Sequence, residues 1–358
     1  MTAHRFRVPD EIAIRVQPGD MQALVESMFQ TLGMPEPRAR QCAKTLIYAD
    51  IRGIDSHGVS NMMRVYVDWL ESGQVNPTPQ PKVVQEAPAT ATINGDGGFG
   101  LTVGPDAMRR AMDKAESCGI GAVGVRNSYH LGACAYHAEL ALERNMIGIV
   151  TTIGSCSTVP TFGSQAMVGN NPIGIAIPTR NEVPFVFDAS MSSLPLNKVK
   201  ILKRLGGTIA PGWMAMPDGT PIMDERPVSD DYSVLPLGGT RQIGSHKGYG
   251  LSVAIDILSA ILSGGEASYK EAETVCHHFL VYRVDAFTDL DSFKDDMDHF
   301  MKSLRETPPA PGCEKVYYAG LPEQEMATER SERGIPYHPE VIDWFHETAD
   351  RLGIAHRL

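Results

Sequence analysis

Ser56 and His57 stand side by side, just before a run of apolar residues with helical spacing that begins at Met62. A hydroxyl next to an imidazole can pass a proton, and the positive end of a helix disfavours the charged imidazole. This placement favours proton transfer near neutral pH. The alternative is structural: Ser56 or Asp55 caps the helix and His57 only lies nearby.

A second histidine lies in the segment from Asn127 to Gly132, which joins a predicted strand to a predicted helix. At such a junction, free backbone N–H groups and the imidazole of His130 face the same point, which suits a phosphate or an amide. A buried histidine that is hydrogen-bonded within the core is an equally good interpretation.

Three further segments combine polar groups with the ends of predicted elements. Asn170 to Pro172 precede one strand, and Asp188 closes the next, where it is either solvated or a relay carboxylate for a histidine. The sequence from Gly244 to Gly250 opens an apolar helix, with glycines that let the backbone approach a ligand and Lys247 as a cation for a phosphate. It lacks the spacing of a P-loop.

The sequence GDGGFG at 95–100 has the form of a dinucleotide fingerprint between a strand and a helix. In a Rossmann fold the next strand should end in an acidic residue that binds the ribose hydroxyls. Here that strand is followed by Arg126, Asn127 and Ser128, so we expect a glycine-rich turn instead. No two histidines have metal-binding helical spacing, and His277 and His278 face opposite sides of a predicted strand, so no metal is expected.

The composition excludes several classes of protein. The chain has 358 residues, with 43 acidic and 32 basic side chains and a net charge of −11, so a nucleic-acid surface is not expected. The uncharged stretch 145–179 contains Pro160 and Pro172, which argues against a membrane span. The start lacks the apolar core of a secretory signal, and the six cysteines are scattered, as in a cytoplasmic protein.

Helical and mixed patterns divide the chain. Residues 1–76 show three amphipathic helices, and a proline-rich segment near 77 leads into a strand. From 77 to 289, helices alternate with strands, with a loop-rich excursion near 200–245, and two short strands at 173–178 and 184–190 suit an antiparallel hairpin. We therefore expect an α/β fold with a mixed sheet. The tail 290–358 is expected to pack on the N-terminal helices.

Eight segments in this order resemble the type-2 malate/L-lactate dehydrogenase family over nearly the whole chain. They are ADIRGIDSHG, INGDGGFG, GIGAVGVRNSYHLGACAYHAELA, MIGIVTT, GNNPIGIAIP, FDAS, GSHKGYGL and the late TPPAPG with KVYYAG. The resemblance implies a nicotinamide-binding domain that is not Rossmann, with a largely antiparallel sheet, and a helical domain from both chain ends. It also implies a homodimer with active sites near the subunit interface.

The resemblance assigns Ser56, His57 and Asp188 to a proton relay, in which His57 exchanges the proton of the substrate oxygen. It assigns substrate contact to Thr152. It implies cofactor contacts at His130, Leu131, Gly132, Ala133, Cys134, Asn170, Asn171, Pro172, Lys198, His246, Lys247, Gly248 and Gly250. NAD is the expected cofactor, and NADP remains open.

One departure concerns the substrate. Family members usually carry an arginine four residues after the histidine, and this chain has Asn61 there. Arg64, one turn further on, is the predicted replacement for binding a carboxylate, and Arg52 is the second candidate. Lys198 follows an asparagine where the family commonly has glycine, and we expect it to function still.

The expected reaction is hydride transfer to or from a small 2-hydroxy or 2-keto acid, with malate or lactate as the default substrate. Alternatives are a cyclic 2-imino acid reductase or a ureidoglycolate or sulfolactate dehydrogenase of the same family. A catalytically silent nucleotide-binding protein is the alternative from another class. A serine hydrolase is excluded because no nucleophile elbow surrounds Ser56.

Overall fold

The two ends of the chain meet in one helical cluster, in a computed structural model that describes residues 5–229, 231–271 and 273–358. The helices are α1 (Pro18–Thr31), α2 (Glu36–Ile51), α3 (Val59–Glu71), α4 (Gly100–Cys118), α5 (Cys134–Glu139), α6 (Leu196–Arg204), α7 (Ser245–Asp256), α8 (Leu290–Arg305), α9 (Leu321–Arg333) and α10 (Pro339–Leu352). The strands are β1 (Ile14–Val16), β2 (Lys82–Glu86), β3 (Thr90–Phe99), β4 (Ile120–Tyr129), β5 (Met146–Thr152), β6 (Ile173–Ile177), β7 (Phe185–Ala189), β8 (Thr208–Ile209), β9 (Met214–Ala215), β10 (Arg226–Pro227), β11 (Ser233–Val234), β12 (Val275–Arg283) and β13 (Ile335–Tyr337).

Seven strands form the central sheet in the order β2-β3-β4-β12-β5-β6-β7. β3 and β4 run parallel, and the other five neighbouring pairs run antiparallel. β6 and β7 form the antiparallel hairpin that the sequence predicts, with Gly174 opposite Asp188. The prediction of an α/β fold with a mixed, largely antiparallel sheet is therefore confirmed.

Two large apolar cores lie on either side of the site described below. The first joins α1, α2 and α3 to β13 and α10, and it includes the fully buried Phe29, Tyr66 and Phe345. The second lies between the sheet and α4 and α5. β1 pairs with β13, so the beginning of the described chain is tied directly to its end.

Part of the tail packs elsewhere than expected. α10 lies against the N-terminal helices, as predicted, whereas α8 lies against the β6–β7 hairpin. There Arg180 binds Asp291 and Asp295, and Arg305 binds Glu182. The helical pattern of α8 gives its apolar face but does not specify which partner covers that face.

Residues 200–245 contain more regular structure than the predicted loops. α6 is followed by two small antiparallel pairs, β8 with β10 and β9 with β11. They pack on a small core of their own, in which Phe6 stacks on Trp213 at a centroid distance of 5.9 Å.

The GDGGFG segment lies at the end of β3 and the start of α4. Asp96 and Gly97 both have positive φ, and the pairing with β4 shifts register between Asn94 and Gly98. The predicted glycine-rich turn is thus an irregularity within a strand. Gly100 then lies so close to His277 that a Cβ would be 2.9 Å from its Nε2 atom.

Candidate active site

A cavity of about 510 Å³ lies between the N-terminal helices, the β6–β7 hairpin and α6. This size falls within the range of small-molecule sites. Of the predicted site residues, six line its wall: Ser56, His57, Asn170, Pro172, Asp188 and Lys198. The structure therefore brings together groups that are up to 142 positions apart in the chain.

The loop between α2 and α3 carries the Ser56–His57 pair. Ser56 is buried, and its Oγ lies 2.9 Å from His57 Nδ1. The His57 backbone N–H donates to the Ile54 carbonyl at 2.9 Å, which closes the loop tightly. Because Ser56 occupies Nδ1, His57 would exchange a proton with a substrate through Nε2.

Burial and the nearby charge of Lys198 lower the pKa of His57 to about 4. The sequence predicts tuning near neutral pH by the helix dipole, and the structure shows a larger shift because burial dominates. In the absence of a ligand, His57 is therefore a neutral base at pH 7. A bound carboxylate would favour the protonated form and raise this pKa.

Asp188 ends β7 on the wall of the same cavity. Its Oδ2 accepts from the Ala135 N–H at 2.8 Å, at the start of α5. The carboxyl lines the cavity, and desolvation by the surrounding protein raises the pKa of Asp188 to about 6. The structure pairs Ser56 with His57 and Asp188 with a backbone amide, so the three predicted relay residues share a cavity without forming one chain of hydrogen bonds.

His130 lies directly behind His57. The two rings stack with a centroid distance of 5.6 Å and an interplanar angle of 11°, and Tyr66 Oη lies 2.6 Å from His130 Nδ1. Burial lowers the pKa of His130 well below its usual value. Residues 131–134 form the buried turn into α5, so His130 and this turn support the cavity from behind, and Ala135 is the first residue of this segment on its wall.

Asn171 is fully engaged inside the protein. Its Nδ2 donates to Asp256 Oδ2 at 2.7 Å and to the Ser252 carbonyl at 3.0 Å, and its Oδ1 accepts from the Gly154 N–H. Asn171 thus fixes the turn that presents Asn170 and Pro172 to the cavity. The cofactor contact predicted for Asn171 stays a prediction.

The Gly244–Gly250 segment lies beyond Leu237 rather than on the cavity wall. His246 and Lys247 are exposed, and Gly248 packs so tightly against Leu237 that a Cβ would be 2.3 Å from its carbonyl oxygen. Gly250 has open space around it. The segment is therefore one residue layer away from the cavity.

Thr152 and Asn61 are buried and face protein partners. Thr152 Oγ1 lies 2.7 Å from His277 Nδ1. Asn61 Nδ2 donates to the carbonyls of Asp55 at 3.2 Å and Asn197 at 3.4 Å. Where family members usually have arginine, this chain therefore has a side chain that braces the loop before α3.

The structure places the second candidate for the missing cation, Arg52, on the cavity wall and the first candidate, Arg64, outside the cavity. Arg64 lies outside the cavity, where its Nη1 binds Glu340 at 2.7 Å and its guanidinium lies over the Trp344 ring. In this structure Arg64 therefore contacts α10 and not the cavity, which favours the second candidate, Arg52, as the replacement for the missing cation. Arg52 is on the cavity wall.

Arg52 is held by two neighbours that the sequence analysis missed. Its guanidinium lies 4.0 Å from the centre of the Tyr48 ring, and its Nη2 lies 3.4 Å from Glu139 Oε2. Tyr48 Oη donates to Glu139 Oε1 at 2.7 Å. Arg52 directly follows the last residue of α2 and is four positions after Tyr48, a spacing that places side chains on one helix face and could have indicated the pair.

Within residues 5–229, 231–271 and 273–358, no three His, Cys, Asp or Glu side chains are grouped so that they could hold a metal ion. In the same part of the chain, no helix combines the length and the apolar character needed to cross a membrane.

Comparison with known proteins gives matches over almost the full chain. A sequence model of the malate/L-lactate dehydrogenase family matches residues 16–345. The malate dehydrogenase of Pyrococcus abyssi is 38% identical over 352 residues, covering 96% of this chain and 97% of that protein. The L-sulfolactate dehydrogenase of Methanocaldococcus jannaschii is 32% identical over 346 residues, covering 95% and 97%. The solved malate dehydrogenase of Entamoeba histolytica has a TM-score of 0.92 and 31% identity, covering 97% and 100%.

Proposed function

Because the chain belongs to the malate/L-lactate dehydrogenase family, we propose that it transfers a hydride between a nicotinamide cofactor and a small 2-hydroxy or 2-keto acid. The family makes the protein an oxidoreductase that acts on a CH–OH group. The observation that carries the finer proposal is the Ser56–His57 pair, which opens on a cavity shared with Asp188 and Lys198.

In oxidation, neutral His57 takes the proton of the substrate hydroxyl through Nε2, and Ser56 keeps the ring oriented through Nδ1. In the other direction, protonated His57 returns that proton to the keto oxygen. The nicotinamide, when bound, accepts or supplies the hydride. Asp188 contributes a negative charge on the wall of the same cavity, which favours the protonated imidazole when it forms.

The cavity fits a nicotinamide cofactor in two respects. It has the volume of a small-molecule site and an ammonium group at Lys198 on its wall. Lys198 would hold a phosphate group, and Asn170 and Pro172 would border the nicotinamide. A sheet with one parallel pair supports the proposal that this domain is not of the Rossmann type. We propose NAD as the cofactor, with NADP as the alternative.

Arg52 is the proposed anchor for the substrate carboxylate. Its contact with Glu139 uses Nη2, and a guanidinium has five N–H donors, so a bidentate contact with a second carboxylate remains open to it. Lys198, also on the cavity wall but on a different element, is proposed above for the cofactor phosphate.

Replacing Arg52 by glutamine should raise KM for the hydroxy acid by about 10- to 100-fold, because a hydrogen bond to a charged group contributes about 1.5–3 kcal/mol. Steady-state kinetics at saturating cofactor would measure it, and kcat should change much less. Arg64→Gln is the matched control and should keep KM unchanged, since Arg64 lies outside the cavity. Equal KM values for wild type and Arg52→Gln would remove Arg52 from the substrate site.

The decisive test of the proposed function is absorbance at 340 nm with NADH and NADPH separately, against oxaloacetate, pyruvate, sulfopyruvate and a cyclic 2-imino acid. Turnover of one keto acid with one cofactor would support the proposal and identify both partners. Turnover of the imino acid alone would instead identify an imine reductase. Binding of NADH without turnover of any compound would indicate a catalytically silent nucleotide-binding protein.

An apolar face on α7 and on the helical turn that continues it through residues 257–262 supports the proposed homodimer. Leu251, Leu258, Ile261 and Leu262 are between 42% and 64% exposed, although the sequence analysis predicts an apolar helix there. A second copy would cover this face.

Leu258→Glu should convert a dimer into a monomer in light scattering, whereas Phe300→Glu, at an exposed apolar residue on α8, should not. A monomeric wild-type protein would contradict the proposal.

A further inference from the structure

A buried carboxylate lies directly beneath the loop that carries Ser56 and His57. Asp50, in the last turn of α2, is fully buried. Its Oδ2 accepts from the Val59 N–H at 3.1 Å and from Tyr337 Oη at 3.0 Å. Val59 is the first residue of α3, so Asp50 holds the point at which the loop ends and the helix begins.

The same carboxylate packs against the residue that follows His57. A Cβ built on Gly58 would lie 1.6 Å from Asp50 Oδ1, so only glycine allows the loop to pass this closely. Oδ1 has no hydrogen-bond partner within the described part of the chain. The loop is thus pressed onto one oxygen of Asp50 and hydrogen-bonded to the other.

Arg330 of α9 holds the other side of the loop. Its Nη1 donates to the Asp50 carbonyl and to Asp55 Oδ1, both at 2.5 Å, and its Nη2 donates to Asp55 Oδ2 at 3.2 Å. The Arg330 side chain is 2% exposed. Asp55 directly precedes Ser56, so this bidentate ion pair ties the loop to the C-terminal part of the chain.

We infer that Asp50, together with Tyr337 and Arg330, positions the Ser56–His57 pair for proton transfer, and that the ionised form of Asp50 is the one that does so. Asp50 does not line the cavity, so it acts through the loop and not on the substrate. The inference rests on the proposed function. It adds Arg330 and Tyr337, which lie more than 270 positions away from His57 in the sequence.

The groups that face Asp50 explain why its ionisation matters. Burial and the charge of Asp55 raise its pKa to about 7, while the Val59 N–H, Tyr337 Oη and Arg330 act in the opposite direction. Ionised Asp50 accepts both hydrogen bonds at full strength. Protonation weakens them and leaves the loop held mainly by the Arg330–Asp55 pair. His57 itself has a much lower pKa, so a loss of activity near pH 7 would not come from His57.

The test is the pH profile of kcat/KM for hydroxy-acid oxidation by wild type and Tyr337→Phe. Wild type should lose activity below about pH 7. Removal of the hydroxyl should raise the pKa of Asp50 by about one unit, so the variant should be about tenfold less active than wild type at pH 6 and nearly as active at pH 9. Asp50→Asn has no carboxyl that could ionise at this position, so its kcat/KM should not show the wild-type fall below about pH 7.

Tyr318→Phe is the matched control, because it also removes a buried hydroxyl, one bound to the Val183 carbonyl. It should keep the wild-type profile. A Tyr337→Phe profile parallel to wild type with a lower Tm would overturn the inference and leave Tyr337 a purely structural role.

An infrared difference spectrum between pH 5.5 and 8.5 separates this inference from the proposed function. In wild type the spectrum should contain the carbonyl band of protonated Asp50. In Tyr337→Phe this band should persist to higher pH, and in Asp50→Asn it should be absent. A band with these properties but no turnover of any substrate would contradict the proposed function and support the titration of Asp50. A wild-type spectrum without the band would overturn the inference.

Discussion

Replacing His57 by alanine is expected to lower kcat by about 100-fold or more, because general acid–base catalysis by a positioned side chain contributes about 10²–10⁴-fold. His57 is the only imidazole among the described residues on the cavity wall, and Ser56 already orients it through Nδ1. Cofactor binding should change little, since His57 is proposed to act on the substrate oxygen.

Steady-state kinetics and NADH fluorescence titration would measure the two effects separately. His299→Ala is the control, because His299 is exposed on α8 and far from the cavity. A thermal unfolding curve would show that His57→Ala is folded. A kcat within threefold of wild type would remove His57 from the chemistry and would favour Asp188 as the base.

Acid is expected to destabilise the protein steeply between pH 6 and pH 5. Five histidines have lowered pKa values because of burial: His57, His130, His137, His277 and His278. In the unfolded chain each takes up a proton as the pH falls through 6.5, and in the folded protein each resists it. Their contribution to stability is therefore complete above pH 6.5 and is lost as the pH falls toward their folded values.

Three acids act in the opposite direction. Burial raises the pKa of Asp50 to about 7, that of Asp188 to about 6 and that of Glu139 above its usual value. These groups hold protons in the folded protein that the unfolded chain has lost, so they stabilise it as the pH falls. Asp188 opens on the cavity, where solvent weakens its effect. The histidines outnumber these acids, so between pH 6 and pH 5 the unfolded chain binds more protons than the folded protein. The slope of stability against pH should therefore be positive, with stability falling as the pH decreases.

Urea unfolding at several pH values between 5 and 6.5 would measure this slope. His137 is fully buried, and its Nε2 lies 2.8 Å from the Leu131 carbonyl, a contact that the amide of glutamine can replace. His137→Gln should therefore reduce the slope by about 1.4 kcal/mol per pH unit, and His299→Gln, at the surface, should not. A slope near zero in wild type would show that these histidines titrate normally.

The sequence indicated the groups that lie next to each other in the chain more reliably than those brought together by packing. Ser56 and His57 were found because a single loop carries both. The strand-end position of Asp188 followed from the alternation of β7, although its amide partner at Ala135 did not. In contrast, Arg64 was misplaced, because helical spacing gives a direction from α3 but not the presence of α10 on that side.

For the fold as well, features that are local in the chain could be predicted, and features formed by packing between distant segments could not. The hairpin of β6 and β7 and the mixed sheet could be predicted from short strands separated by a polar turn. The position of α8 on that hairpin could not, since its pairs join Arg180 to Asp291 and Asp295 across more than 110 positions. Asn171 illustrates a third case: the family resemblance predicts a cofactor contact, and the structure adds three internal hydrogen bonds that the sequence did not indicate.

The pairing of β1 with β13, and the grip of Arg330 on Asp55, have a consequence for synthesis of the protein. The loop with Ser56 and His57 leaves the ribosome well before its supports at Arg330 and Tyr337 have been made. A nascent chain can therefore form its N-terminal helices before the proposed site is complete. Chains that stop before residue 337 should contain the Ser56–His57 pair without the contacts that hold its loop.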